Sequence, residues 1–263
     1  MISRSTFFGG PAILLIGLAA AALGADAKEA FVQRIFTGTD QRTLPFRLLK
    51  PKDYDAGNKY PLVLFFHGAG ERGTDNTIQL VHGMNDFSKE EIRDKYPCFV
   101  IAPQCPVGKR WVEVDWTEDA HDFNERPSET MQLVIELLKA LPQEFSIDSD
   151  RLYVTGLSMG GFGTWDLISR FPEKFAAAAP VCGGADEKLA PKIASVPIWT
   201  FHGDKDGVVK PSRSRNMIGA LKEAGGKPLY TEYEGVGHDS WVPAYADPKL
   251  MEWMFAQKLK RTE

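Results

Sequence analysis

The residues with the clearest chemical potential are a serine and its flanking glycines, in Gly156-Leu-Ser-Met-Gly160. Residues 151–155 have the apolar, β-branched pattern of a short buried strand, and residues 161–170 have the pattern of a helix. Glycines on both sides permit a sharp, strained turn that side chains would block. Such a turn lifts the hydroxyl of Ser158 out of the sheet, towards the positive end of the helix dipole. The pattern predicts that Ser158 is a nucleophile; the alternative is an idle serine in a glycine-rich turn.

A serine hydroxyl is a weak nucleophile near neutral pH, so it needs a base and a carboxylate that orients the base. When the nucleophile lies on a strand-to-helix turn, the acid and then the base follow it in the chain. Two histidines follow Ser158, namely His202 and His238. His238 lies in a glycine-rich segment after the last predicted strand, and we predict that it is the base. His202 directly ends a predicted strand, so we interpret it as a structural residue packed there.

Two carboxylates, Asp204 and Asp206, lie in the segment that precedes the histidine loop. In the pattern His-Gly-x-x-Asp-x-x-Val the acid is the second of the two, so we predict that Asp206 orients the base. Asp204 is expected to shape the turn beside Gly203.

Hydrolysis by a serine also needs two backbone N–H groups that stabilise the oxyanion. One is expected from Met159, directly after the nucleophile. The other is expected from Ala69, in the glycine-rich segment His67-Gly-Ala-Gly70 after an apolar strand. His67 is expected to support this loop and not to act as a base.

The N-terminal segment has the pattern of a secretory signal peptide. Residues 11–23 are uncharged and apolar, and Ala25-Asp-Ala27 fits a cleavage site. Thirteen residues in a helix reach about 20 Å, short of the ~30 Å hydrocarbon core, so a membrane anchor is not expected. We therefore predict a signal peptide over residues 1–27, one domain over residues 28–263, and a secreted or periplasmic location.

Composition and cysteine spacing indicate the size of the domain and argue against nucleic-acid binding and a metal site. The chain of 263 residues is 43% hydrophobic and 25% charged, which suits one large α/β domain. Its net charge of −4 gives no electrostatic reason to expect nucleic acid as a partner. No Cys-x-x-Cys pair or histidine cluster indicates a metal site, so we expect no metal and no cofactor. We also expect no disulfide among Cys98, Cys105 and Cys182.

Apolar runs alternate with helical periodicity along the chain, which predicts a mostly parallel central sheet flanked by helices. Two long loops, Gly68–Pro97 and Pro103–Arg126, leave the carboxyl ends of strands, where such sheets bind ligands. Trp111 lies in one of these loops and Trp241 lies three residues after His238, so both are candidates for contacting substrate. The alternative is that one or both pack a loop against the core.

Taken together, five ordered motifs resemble those of a family of small secreted bacterial α/β-hydrolase esterases. This family is often labelled "predicted peptidase" or "phospholipase/carboxylesterase", and is related to dienelactone hydrolase and feruloyl esterases. The motifs are Tyr60-Pro-Leu-Val-Leu-Phe-Phe-His-Gly-Ala-Gly-Glu-Arg-Gly73, Ala102-Pro-Gln-Cys-Pro106, Gly156-Leu-Ser-Met-Gly-Gly-Phe-Gly-Thr-Trp165, Pro180-Val-Cys-Gly-Gly184 and Gly237-His-Asp-Ser-Trp241.

The resemblance implies an α/β-hydrolase fold without a large lid domain and a metal-free serine esterase with Ser158, Asp206 and His238 as triad. The resemblance does not specify the substrate. We expect an ester, either a small molecule or one linked to a polysaccharide, such as a feruloyl or acetyl ester, which an open site and an exported location allow. Two alternatives stay open. One is a serine peptidase related to prolyl oligopeptidase, and the other is a non-catalytic relative that binds a ligand.

Overall fold

The computed structural model describes residues 28–259. Its centre is a sheet of eight strands in the order β1-β2-β4-β3-β5-β6-β7-β8. The bounds of the strands are β1 Val32–Thr37, β2 Thr43–Leu49, β3 Tyr60–Phe66, β4 Phe99–Pro103, β5 Ile147–Leu157, β6 Ala177–Val181, β7 Trp199–Gly203 and β8 Leu229–Tyr233. β2 pairs antiparallel with β1 and with β4, and the other neighbouring strands pair in parallel. The expected mostly parallel sheet is thereby confirmed.

Helices connect the strands and cover both faces of the sheet. Their bounds are α1 Met84–Ser88, α2 Glu90–Lys95, α3 Glu129–Glu144, α4 Met159–Arg170, α5 Ala190–Ile193, α6 Ser212–Glu223, α7 Trp241–Ala246 and α8 Pro248–Ala256. The buried apolar residues form one cluster on each side of the sheet. No helix among residues 28–259 is long and apolar enough to cross a bilayer.

The strands β3, β4 and β6 are buried along almost their whole length, as expected for central strands covered on both faces. The edge strand β1 alternates between exposed and half-buried residues. The predicted signal peptide over residues 1–27 lies outside the described residues.

Two features of the fold differ from the sequence-based expectation. The segment Gly68–Pro97 is not an open loop, because α1, α2 and two short 3-10 turns fold within it. The segment that follows His238 forms the helix α7. Its six residues include Pro243, so no helical periodicity marks it in the sequence.

The turn that carries Ser158, residues 156–160, is called the nucleophile turn below. It packs directly against the end of the central strand β3. A Cβ atom at Gly160 would overlap the carbonyl oxygen of Phe66, and one at Gly156 would lie 2.6 Å from the same oxygen. The missing side chains therefore let the first turn of α4 approach β3 closely. This approach brings the loop after β3 beside Ser158, which is what an oxyanion site shared by the two segments requires.

Candidate active site

Ser158 has a backbone conformation that few residues with a side chain adopt. It lies between β5 and α4 with φ 53° and ψ −118°. A non-glycine residue at positive φ stores strain, and such strain is concentrated at functional sites. The amide of Ser158 donates to the carbonyl of Val181 on β6, at 3.0 Å, which helps to hold the turn. Its conformation matches the strained strand-to-helix turn that the glycine spacing predicts.

The structure brings Ser158, His238 and Asp206 together in one line of hydrogen bonds. The Oγ of Ser158 lies 2.8 Å from Nε2 of His238, although the two residues are 80 positions apart in the chain. On the other side of the ring, Nδ1 of His238 lies 2.7 Å from Oδ2 of Asp206. With Nδ1–H donating to the carboxylate, Nε2 is left free to accept the serine proton. This is the order of contacts that a nucleophile, its base and an orienting acid need.

The Asp206 carboxylate accepts four hydrogen bonds. The amides of Val208 and Val209 donate to Oδ1, at 2.8 Å and 3.0 Å, and two histidines contact Oδ2. Burial raises the pKa of the Asp206 carboxyl, but these hydrogen bonds outweigh burial and hold that pKa well below its ordinary value. Asp206 is therefore a permanent anion at the pH at which His238 would work.

His202 is the second histidine on Asp206, and sequence reasoning assigned it only a packing role. Its side chain is completely buried, and its Nε2 lies 3.1 Å from Oδ2 of Asp206. Its Nδ1 lies 2.7 Å from Oγ of Ser214 on α6. The four-residue spacing from His202 to Asp206 was visible in the sequence. The sequence did not show that the turn after His202 brings the carboxylate of Asp206 back to its ring.

Asp204 has a different environment from Asp206. Its Oδ1 accepts from the amide of Gly235 at 2.7 Å, and its other oxygen lies 3.4 Å from the Lys205 ammonium. Asp204 thus ties the turn after β7 to the loop that carries His238, as expected for a residue that shapes a turn. Within residues 28–259 it forms no hydrogen bond to a histidine.

Met159 and Ala69, the residues predicted to form the oxyanion site, each begin a helical turn. α4 begins at Met159, and a 3-10 turn covers Ala69–Glu71. The first amides of a helical turn have no acceptor within it and are free to bind an anion. His67 supports the loop: its Nδ1 contacts the carbonyl of Gly68 at 2.6 Å, and its Nε2 accepts from the amide of Cys105 at 2.9 Å.

Because both of its ring nitrogens are used in this way, His67 is held as a neutral imidazole. Complete burial lowers the pKa of His67 to about 4. A neutral, buried ring that is bonded on both sides orients the loop and is not available to shuttle protons.

Trp111 does not border an open cleft. Its side chain has 0% exposure, its ring packs against Phe66 at 4.8 Å between centroids, and its indole N–H donates to the carbonyl of His67 at 3.0 Å. A completely buried ring cannot contact a substrate without repacking. The expectation of substrate contact is therefore corrected for Trp111, which fixes the strand end and the loop that follows it.

Trp241, by contrast, lies beside the candidate base. Its half-buried ring is perpendicular to the imidazole of His238, with centroids 5.3 Å apart. It also contacts the ring of His82, with centroids 5.4 Å apart. Val242, the next residue of α7, is 58% exposed. These positions are compatible with the predicted contact between Trp241 and a substrate, and they add His82 as a residue that sequence reasoning missed.

The chain matches the family "Esterase", described as "Putative esterase", over residues 38–233. That range includes Ala69, Ser158, Met159 and Asp206, and it ends before His238. It covers most of the chain and of the sheet described above. The chain belongs to this family.

Several individual proteins to which the chain is similar are also named as esterases. A solved structure entitled as that of a thermostable esterase is 42% identical with a TM-score of 0.81, covering 88% of this chain and 64% of that chain. A bifunctional acetylxylan esterase/xylanase of Neocallimastix patriciarum is 29% identical over 57% of this chain and 20% of its own length. A "probable carboxylesterase" of Oryza sativa subsp. japonica is 25% identical over 70% of this chain and 73% of its own length. The chain thus spans less than two thirds of the first two proteins.

Three potential metal-binding side chains of this esterase-family chain also meet at the site. One atom each of Cys182, Asp206 and His238 lies within 4.8 Å of the others, the only such group found in residues 28–259. Asp206 and His238 already bond to each other in the line to Ser158. Two of the three members are therefore candidate triad residues, and Cys182 lies beside them. Cys98, Cys105 and Cys182 are all buried free thiols.

A large groove lies at the opposite edge of the sheet from Ser158. This groove of about 1040 Å³ is lined by residues at the amino ends of the parallel strands, among them Leu62, Leu152 and Pro197. Its described lining contains no histidine, cysteine or aspartate. Its ionisable side chains are Lys139, Glu173, Lys174 and Lys258. Because the serine that is bonded to a histidine and, through it, to an aspartate lies at the other edge, the chemistry is assigned to the carboxyl ends of the strands.

Proposed function

We propose that this chain is a serine carboxylic-ester hydrolase that works through an acyl-enzyme. One observation carries the proposal: Ser158, at positive φ, lies 2.8 Å from Nε2 of His238, whose Nδ1 lies 2.7 Å from the buried carboxylate of Asp206. A strained serine with a base and an orienting acid in hydrogen-bond contact is the arrangement that serine acyl transfer requires. The family membership supports the same activity.

In the proposed reaction His238 accepts the proton of Ser158 as its Oγ attacks the acyl carbon. Asp206 stabilises the imidazolium and keeps Nε2 directed at the serine. The amides of Met159 and Ala69 stabilise the oxyanion of the tetrahedral intermediate. His238 then gives its proton to the leaving alcohol. Water attacks the acyl-enzyme by the same steps, releases the acid and restores the serine.

For the substrate we propose an ester with a bulky partner, such as an acetyl or feruloyl group on a plant cell-wall polysaccharide. The connection between β6 and β7 is short and carries only small turns and α5, so it adds no large lid over Ser158. The half-exposed wall of Trp241 and His82 offers aromatic faces, which suit sugar rings and phenolic acids. A domain that begins after a signal peptide over residues 1–27, and thus a secreted or periplasmic enzyme, fits such a substrate.

A hydrolysis screen tests the proposal. Short-chain p-nitrophenyl, feruloyl, acetyl-xylan and glucuronate esters would be compared with peptide amides, using wild type and Ser158→Ala. We expect turnover of at least one ester class that is lost in Ser158→Ala, with amides cleaved far more slowly. Preferred cleavage of amides would favour the peptidase alternative. Absence of turnover on every substrate would favour a non-catalytic relative.

A further inference from the structure

The carboxylate that orients the candidate base is shared by two histidines. Oδ2 of Asp206 lies 2.7 Å from Nδ1 of His238 and 3.1 Å from Nε2 of His202. His202 and Asp206 have no exposed side-chain surface, whereas the His238 side chain is 20% exposed. Only one of the two rings therefore faces the cleft, and the other approaches the carboxylate from inside the protein.

The protonation of His202 at Nε2 follows from its neighbours. This nitrogen lies 3.1 Å from Oδ2 of Asp206 and 2.9 Å from the carbonyl oxygen of Val209. Both oxygens are acceptors, so Nε2 must carry a proton that it shares between them. On the far side of the ring, Nδ1 is 2.7 Å from Oγ of Ser214, and that hydroxyl lies 3.4 Å from the carbonyl of Gly183.

We propose that His202 is a positioning residue that controls how strongly Asp206 supports the base, an inference that rests on the proposed function. The N–H of His202 fixes the carboxylate in the plane that His238 needs. It also withdraws negative charge from the same oxygen that accepts from His238. Asp206 therefore stabilises the imidazolium of His238 less than an unshared carboxylate would.

Asp206 links the rings of His202 and His238, whereas the other charged and titratable groups near the two rings have other partners or contact only one ring. Glu232 lies opposite His202 in the register of β8, but it is paired with Arg215 at 2.7 Å and with Tyr230. His238 faces Ser158, Asp206, the thiol of Cys182 and the neutral ring of Trp241, and its chain neighbour is Asp239.

Two substitutions of His202 distinguish the role of its Nε2 from that of its Nδ1. The amide of a glutamine can reach the place of Nε2, so His202→Gln keeps a donor for Asp206. The shorter asparagine reaches only the place of Nδ1, so His202→Asn keeps a partner for Ser214 and removes the donor. Ser214→Ala is the matched control, because it changes the other side of the ring and leaves Nε2–H in place.

The measurement is the pH profile of kcat/KM for p-nitrophenyl acetate, with melting temperatures of all variants. In His202→Asn the acidic limb should move to higher pH by about 0.5 to 1 unit, the scale expected for loss of one hydrogen bond to a charged group. The limb should stay in place in His202→Gln and Ser214→Ala. A His202→Asn enzyme that melts earlier but keeps its limb would show a purely structural role and overturn the inference.

Three outcomes keep the test decisive. If His202→Asn does not fold, NMR of ¹⁵N-histidine-labelled wild type replaces it, and Nε2 of His202 should carry its proton throughout pH 5 to 9. A deprotonated Nε2 in that range would overturn the inference. A wild type without any ester turnover would overturn the proposed function itself. A wild type with a normal profile and an unshifted His202→Asn variant would overturn this inference alone.

Discussion

The indole of Trp241 is perpendicular to the imidazole of His238, with ring centroids 5.3 Å apart. The edge-to-face contact limits how far the base can rotate away from Ser158. The indole is only half buried, so part of the ring stays accessible beside the candidate base. Trp241 is therefore placed to affect both the base and, as we propose, a bound ester.

Replacement of Trp241 by alanine should lower kcat and raise KM for aryl esters, with a small change in melting temperature. Trp111→Ala is the comparison, because that indole is completely buried and bonded to the His67 carbonyl. Its loss should cost about 3–5 kcal/mol of stability. Kinetics and thermal melts of both variants test this division. A Trp241→Ala protein that melts early but keeps normal kcat and KM would assign Trp241 to packing instead.

Asp206→Asn should cost far more activity than Asp204→Asn. Only Asp206 contacts His238, and loss of an acid that fixes the imidazole tautomer can lower kcat by about 10⁴-fold. Asp204 holds the amide of Gly235, so its replacement should act mainly through loop stability. Side-by-side kcat measurements decide. An inactive Asp204→Asn with a working Asp206→Asn would show that the acid is misassigned.

Stability should fall as the pH drops from about 6.5 to about 4, in part through His67. In the unfolded chain an imidazole takes up a proton near pH 6.5, whereas burial lowers the pKa of His67 in the folded protein to about 4. The unfolded state therefore binds more protons across this range, and protonation favours unfolding. A shift of this size corresponds to about 3 kcal/mol of lost stability by pH 4.

Urea unfolding of wild type and His67→Gln at several pH values measures that contribution. The variant should be less stable near pH 7, because a bonded, buried ring is removed. Its stability should nevertheless fall less steeply between pH 6.5 and pH 4. Parallel curves for the two proteins would mean that His67 titrates normally in the folded state.

Alanine substitutions at two glycines should have opposite effects, because one glycine lies in the close contact between the nucleophile turn and β3 and the other has open space around it. Gly160→Ala would push a Cβ into the carbonyl of Phe66, so it should destabilise the fold severely or abolish it. Gly219 lies inside α6 with open space around it, so Gly219→Ala should stabilise the protein by about 0.5–1 kcal/mol. Thermal melts test both. An unaffected Gly160→Ala protein would contradict the packing described for the nucleophile turn against β3.

The sequence predicted the parallel sheet and the chain order of Ser158, Asp206 and His238, because each depends on local patterns near strand ends. It did not predict that His202 contacts Asp206, since that contact depends on how the turn 203–209 folds. It also left Trp111 undecided. The burial of that ring depends on contacts with Phe66 and Gly163, which are distant in sequence. Contacts set by long-range packing leave little trace in a single sequence.

The most direct test of the account is the covalent modification of the nucleophile. Wild-type protein would be treated with an organophosphate, digested and examined by mass spectrometry, while ester hydrolysis is followed in parallel. Ser158→Ala, which removes a half-buried hydroxyl and no large side chain, would serve as control. We expect one adduct on Ser158 and loss of hydrolysis in step with labelling. A folded Ser158→Ala protein should show neither adduct nor appreciable turnover. An adduct on another residue, or a Ser158→Ala protein with full activity, would contradict the account.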